Sequence, residues 1–251
     1  MNVSANRPAG RLVPVFAANE DLDIRPVGSA NLTLALARAA AARGETVLIL
    51  DQMDGQLMRA AGIISGADLS DVLAGRASIL DAKYIDREGR FTAMCIGAAP
   101  LDEILGTLAA LSLNYDWVFI GVKPGCTPAH VRLAAAADCA LMLYDTKSDQ
   151  FMRAYWMLDA IRMRLPHFDP LVLACGPIAE GRETFDLLNA TVQDFLGARL
   201  TCGGLMDSAQ AAAQHAPVLL DQICNMTDLG TRSGPSILPD RISRLKTHKS
   251  A

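Results

Sequence analysis

The 251-residue chain is 51% hydrophobic and 20% charged, with a formal net charge of −4. That composition is too apolar for a disordered chain, and it lacks the basic excess that favours nucleic acid. No run reaches the roughly eighteen apolar residues of a membrane span, and the start MNVSANRPAG has no apolar signal core, so a cytoplasmic protein is expected.

Short apolar runs alternate along the chain with longer helical patterns. Strands are expected at Leu12–Ala17, Thr46–Asp51, Thr92–Gly97, Asp116–Gly121, Asp138–Tyr144, Pro170–Cys175 and Leu200–Leu205. Helical patterns fall near Asn31–Arg43, Leu101–Leu113, Pro128–Ala136, Asp149–Leu165 and Gly181–Leu196. This alternation implies βαβ units and a doubly wound, mainly parallel α/β sheet. The runs VLIL and WVFI are apolar throughout, as strands are when helices cover both sheet faces. One domain over residues 11–230 is expected, after a loose lead-in at 1–10 and before a basic tail at 231–251. The six cysteines form no C-x-x-C pair and read as small buried apolar residues. The four histidines show no zinc-like spacing, and no metal or other cofactor is expected.

The stretch VPVFAANEDLDIRPVGSANLTLALARAAAARGETVLILD reads as strand, loop, helix and strand. A loop that opens a helix after the first strand of such a sheet is where nucleotide phosphates sit. On the residues alone, Ser29 or Asn31 can cap the helix, leaving Gly28 for a tight turn.

From PVGSANLTLALA onward the chain resembles the MinD/ParA family of deviant P-loop ATPases, and within it the flagellar-number branch, FlhG. Those proteins read KGGxGKTN, then an apolar strand ending in DAD, where this chain has VLILDQMDG. NYDWVFIGVKPG resembles their YDYVLIDTPPG strand and switch, and ETFDLLNATVQDFLGARLTCGGLM their late helix and final core strand. The likeness spans residues 11–220 and implies the P-loop NTPase fold.

The departures fall on the chemistry that the resemblance implies. The P-loop lysine falls at Ser29 and the Mg²⁺-binding hydroxyl at Ala30, while the loop glycines fall near Arg25 and Pro26. Asp51 keeps the first aspartate of DAD, but the second falls at Met53, and Asp54 reaches that role only by a register shift. The metal-linked switch aspartate falls at Gly121, and an adenine-contacting asparagine near Ala174. The vestigial phosphate-loop positions are thus Arg25, Pro26, Gly28, Ser29, Ala30, Asn31 and Asp51, with Arg25 and Lys123 as the nearby cations. A protein that hydrolyses no ATP is expected.

The helix DQFMRAYWMLDAIRMRLP sets Met157, Leu158 and Ile161 on a core face and leaves Trp156 on a neighbouring one as a candidate partner contact. Glu180, Arg182, Glu183 and Asp186 make a solvated helix start. In the tail, Arg241, Ile242, Arg244 and Leu245 resemble the amphipathic membrane segment with which relatives end, although Pro239 interrupts it. The expected function is that of a non-catalytic regulator or scaffold. It would bind protein partners, a second copy of itself or an intact ATPase paralogue, but no nucleic acid, and sit peripherally at the inner membrane or cell pole. Two alternatives stand beside this: a nucleotide switch with little turnover, and an accessory of polysaccharide secretion.

Overall fold

The computed structural model describes residues 10–19, 28–99, 103–104, 112–147 and 150–231. Among them, eight strands form one sheet: β1 (Arg11–Ala17), β2 (Val47–Gln52), β3 (Tyr84–Ile85), β4 (Thr92–Cys95), β5 (Trp117–Val122), β6 (Leu141–Asp145), β7 (Leu171–Cys175) and β8 (Thr201–Met206). Their order is β3-β4-β2-β5-β1-β6-β7-β8. Every pairing is parallel except that of β3 with β4.

Alternating strand residues feed two cores. Val13, Val15, Ile49 and Phe119 face α1 (Ser29–Ala42), α2 (Gln56–Ala60) and α7 (Ala209–Thr231). Phe16, Leu48, Val118 and Ile120 face α4 (Pro128–Ala136), α5 (Phe151–Arg162) and α6 (Ile178–Leu196). Both faces are therefore covered, which is why VLIL and WVFI are apolar throughout. A capping box closed by Asp68 and Asp71 starts the short α3 (Leu69–Leu73).

The expected core strands are present, with ends moved by one to three residues. β4 stops at Cys95 rather than Gly97, and β6 begins at Leu141 because Asp138 is used at the strand's foot. The Leu12 amide donates to Asp138 Oδ2 at 2.7 Å, and Leu12 O accepts from the Asp138 amide at 3.0 Å. Pro14 faces the same side two residues on, without an N–H to give, and the β1–β6 ladder starts only at Val15.

Of the expected helices, the first starts two residues early at Ser29, Asp149–Leu165 narrows to Phe151–Arg162, and Gly181–Leu196 starts at Ile178. Most of Leu101–Leu113 lies outside the described residues. The sequence reading missed α7, whose Pro217 argues against a helix interior. Ala212, Ala216, Leu219, Leu220 and Ile223 nonetheless recur at helical spacing and are buried. Arg43 Nη2 donates to Pro217 O at 2.7 Å, tying α7 to the end of α1. Among the described residues, no helix is long and apolar enough to cross a membrane.

Candidate functional site

At the carboxyl ends of β1, β2 and β5, the N-terminus of α1 meets the turn between β2 and α2. Gly28 is the α1 N-cap, extended at φ −132 and ψ 172, and no side chain caps the helix. The expected cap at Ser29 or Asn31 and the tight turn at Gly28 are therefore both corrected. Once Gly28 extends, Ser29 becomes the first helical residue and turns its side chain inward. Its carbonyl accepts from Thr33 Oγ1 at 2.7 Å, and its hydroxyl lies 3.8 Å from Met53 Sδ. Ala30 is buried beside it and Asn31 is half-buried. Arg25 and Pro26 lie outside the described residues, as do Arg241, Ile242, Arg244 and Leu245 of the tail.

Met53 is the centre of this corner. It is fully buried, and a Cβ added to Gly121 would stand 2.8 Å from its sulfur and 3.1 Å from Leu57 Cδ2. The thioether thus fills the space between Ser29, Leu57 and the β5 backbone, and the absence of a side chain at Gly121 is what admits it.

Asp51 is also fully buried. Its Oδ1 accepts from the Met53 amide at 2.6 Å and its Oδ2 from the Met58 amide at 2.8 Å. Burial pushes its pKa above the ordinary 3.8, against the pull of those backbone bonds. Both oxygens are used in holding the β2–α2 turn to the strand.

Asp54, the next residue outward, has φ 53, followed by Gly55 at φ 78. This pair of left-handed residues swings the Asp54 carboxylate away from Met53 and toward Lys123, whose Nζ lies 2.5 Å from Asp54 Oδ2. Asp54 therefore does not slide into the place of the missing carboxylate.

Lys123 opens the β5–α4 loop, which is pinned by His130. The Thr127 amide donates to His130 Nδ1 at 3.1 Å, which leaves the proton on Nε2 to be donated to Lys123 O at 2.8 Å. Burial lowers the His130 pKa below 6.5, in keeping with a neutral ring. The sequence reading had set this histidine aside; the segment Thr127-Pro128-Ala129-His130, a cap followed by Pro at N1, was the available signal.

On the other flank, Asn19 joins the end of β1 to that of β6. Its Oδ1 accepts from the Asp145 amide at 3.1 Å, and its Nδ2 donates to Gln150 Oε1 at 2.6 Å. Nothing in the sequence distinguished Asn19 from its loop neighbours. Ala174 is buried inside β7, so a base contact from that position is not available.

Trp156 lies apart from this corner on α5 and is 60% exposed, while Met157, Leu158 and Ile161 of the same helix are buried. Glu180, Arg182, Glu183 and Asp186 are exposed on α6. Cys126 and Cys202 are exposed, unlike buried Cys95, Cys139 and Cys175. The expectation of six buried cysteines is corrected, because Cys126 falls in the β5–α4 loop and Cys202 on the edge strand β8. Among the described residues, no group of three or more His, Cys, Asp or Glu could hold a metal ion.

No protein-family model and no curated protein matches the chain. Solved structures do. MinD in the MinC:MinD cell division complex of Aquifex aeolicus aligns at 16% identity over 91% of this chain and 98% of that one, with a TM-score of 0.63. The fold is that of MinD. Cobyrinic acid a,c-diamide synthase of Mycobacterium smegmatis, with bound ADP and magnesium, aligns at 15% identity over 85% of this chain and 95% of that one, with a TM-score of 0.65. Apo McdA of Cyanthece aligns at 14% over 96% and 99%, with a TM-score of 0.59. At these identities the likeness is one of fold, and it spans the sheet and its helices. The corner formed by Ser29, Asp51, Met53 and Gly121 lies at the carboxyl ends of the strands, where open α/β sheets bind their ligands.

Proposed function

We propose that this chain is a MinD-fold regulator that works by binding other proteins and does not hydrolyse nucleotide. The observation that supports this most directly is Met53, buried against Ser29 and Gly121. Phosphoryl transfer depends on positioning and on charge stabilisation by lysine and Mg²⁺. Here, among the described residues, a thioether, a hydroxyl and a glycine line the corner, and the carboxylate beside them, Asp51, spends both oxygens on backbone amides. These groups do not suit Mg²⁺ and a triphosphate. Each missing charged contact weakens transition-state binding by a few kcal/mol, about a hundredfold in rate.

Protein binding is the other half of the proposal. A MinD of this fold is known in complex with MinC, and Trp156 offers this chain an exposed aromatic contact. The order of the motifs from residue 11 to 220 favours the flagellar branch, FlhG, and hence a spatial regulator of a flagellar, polar or envelope assembly. Dimerisation, with itself or with an intact ATPase paralogue, would be independent of ATP.

Calorimetry with ATP, ADP and GTP in the presence of Mg²⁺ tests the proposal. No heat and no thermal shift up to millimolar nucleotide is the expected result. Micromolar binding would replace the proposal with a second reading, a nucleotide-binding switch without turnover. One observation favours that reading: the α1 N-cap is Gly28, which brings no side chain of its own to the helix N-terminus. Nucleotide at a hundredfold excess over Kd would then stabilise the fold by about 2.7 kcal/mol.

A further inference from the structure

On the far side of the β2–α2 turn from Ser29 lies an open cleft of about 800 Å³. Its floor is apolar, built from buried Met58, Ile63 and Cys95. Burial raises the Cys95 thiol pKa above 9.0, so that residue is a neutral part of the floor. At the lip stands Ile64, 93% exposed.

Two cations stand on the wall, Arg59 and Lys123. Arg59 Nη1 donates to Asp54 O at 3.1 Å, and among the described residues no carboxylate forms an ion pair with this guanidinium. Lys123 is paired with Asp54 alone, in an ion pair whose side chains are 47% and 71% exposed. An exposed pair of this kind holds its partners weakly. Asp68, the second acid of the lining, is already occupied: it accepts from the Asp71 amide and the Ser70 hydroxyl as the cap of α3. Asp54 connects the two cations, its carbonyl meeting Arg59 and its carboxylate Lys123, and it does so from a left-handed backbone at φ 53. Among the described residues it is the only non-glycine with positive φ. Such conformations persist where the surroundings over-determine them, and they concentrate at ligand sites.

From this cleft we infer a binding site for a small amphipathic oxyanion, a carboxylate or phosphate head on an apolar body. The head takes the free donors of Arg59 and displaces Asp54 from Lys123. Arg59 offers the planar fork that matches either oxyanion, and Lys123 adds a point charge. The body lies over Met58 and Ile63 and covers Ile64. Ser29, Asp51, Met53 and Gly121 of the α1 corner do not line this cleft. It goes beyond the non-hydrolysing reading and gives such a protein a ligand input that does not depend on nucleotide.

The test is calorimetric titration of the full-length protein with octanoate and with octyl phosphate. Octyltrimethylammonium serves as the cationic control, and acetate and inorganic phosphate as heads without a body. Both octyl anions are expected to bind, and the tighter of the two identifies the natural head group. The cation is expected not to bind, and the bare heads to bind more weakly than their octyl forms. Arg59→Gln and Lys123→Gln, both at exposed positions, should each weaken the octyl anions by at least about tenfold. Ile64→Ser should weaken the octyl anions while leaving the bare heads unchanged. The inference is overturned if neither octyl anion binds, if the ammonium binds equally well, or if binding survives both charge removals. The nucleotide titration is run on Arg59→Gln as well: heat lost in that variant belongs to the cleft and heat retained belongs to the α1 corner, so the two proposals fail separately.

Discussion

Replacing Met53 by aspartate puts a carboxylate where the MinD/ParA resemblance would place one, and so separates a closed packing corner from a metal site lacking one ligand. Met53 is fully buried, so the substitution forfeits about 2 kcal/mol of apolar burial. The new carboxyl enters a wall made of Ser29, Leu57 and Gly121, next to Asp51, whose pKa burial already raises. Lys123 faces the other way, toward Asp54. Leaving a polar group there without a partner costs a further ~1–3 kcal/mol, for a total near 4 kcal/mol. In a protein of this size 1 kcal/mol corresponds to about 2–4 °C, so Met53→Asp should melt about 8–16 °C below the wild type. Met53→Leu, which keeps volume and polarity, should cost less than about 1.5 kcal/mol. Thermal melts followed by circular dichroism, with and without millimolar Mg²⁺, read both variants. If Met53→Asp melts alongside Met53→Leu, the corner is not packed as described. If Mg²⁺ selectively restores it, the corner is a metal site and the non-hydrolysing proposal loses its main support.

Gly121→Ala should destabilise by about 1–3 kcal/mol through overpacking against the Met53 sulfur. With Met53→Ala already in place that cost should largely vanish, so a denaturant-based double-mutant cycle should show a coupling of about 1–2 kcal/mol, and additive effects would refute the contact. His130 has a folded pKa below the ordinary 6.5, so the stability gained from its neutral ring is complete above pH 6.5 and is lost as pH falls through the lower folded value. The melting temperature should therefore fall as the solution is acidified from pH 6.5 toward that lower value, and His130→Gln should flatten this segment of the profile; an unchanged slope would show that His130 does not set it.

The strands between the edges β3 and β8 were legible because a strand covered on both faces leaves an apolar run. The elements that escaped are those whose local signal is weak or contradictory. β3 has two residues, α2 and α3 have five each, and α7 carries a proline that its apolar stripe overrides through packing on α1. At the site, the sequence alone places uncharged residues at Ser29, Met53 and Gly121. How they pack was not legible, because the fit of the Met53 side chain into the gap at Gly121 joins segments far apart in sequence. Arg59 went unnoticed for a similar reason: nothing in QLMRA shows that its guanidinium will stand across a cleft from Lys123.

The pattern of what is kept and what is lost follows from the packing. Asp51 and Met53 stand two residues apart, yet only Asp51 carries a carboxylate. Asp51 Oδ1 and Oδ2 hold the Met53 and Met58 amides, a task the fold needs whether or not a metal is present. A carboxylate at position 53 would have no amide to hold and, without a cation, would be a buried charge beside Asp51, which is costly. A second carboxylate at Gly121 would compete for the same volume, since even a Cβ there comes within 2.8 Å of the Met53 sulfur. Methionine at one position and glycine at the other are therefore a single packing solution, in which a flexible thioether fills a space that glycine leaves open. Two independent losses would leave a void or an unpaired polar group in this corner; the structure instead has a buried sulfur in contact with Ser29. That complementarity makes the α1 corner a continuation of the core that packs α1 against β2 and β5.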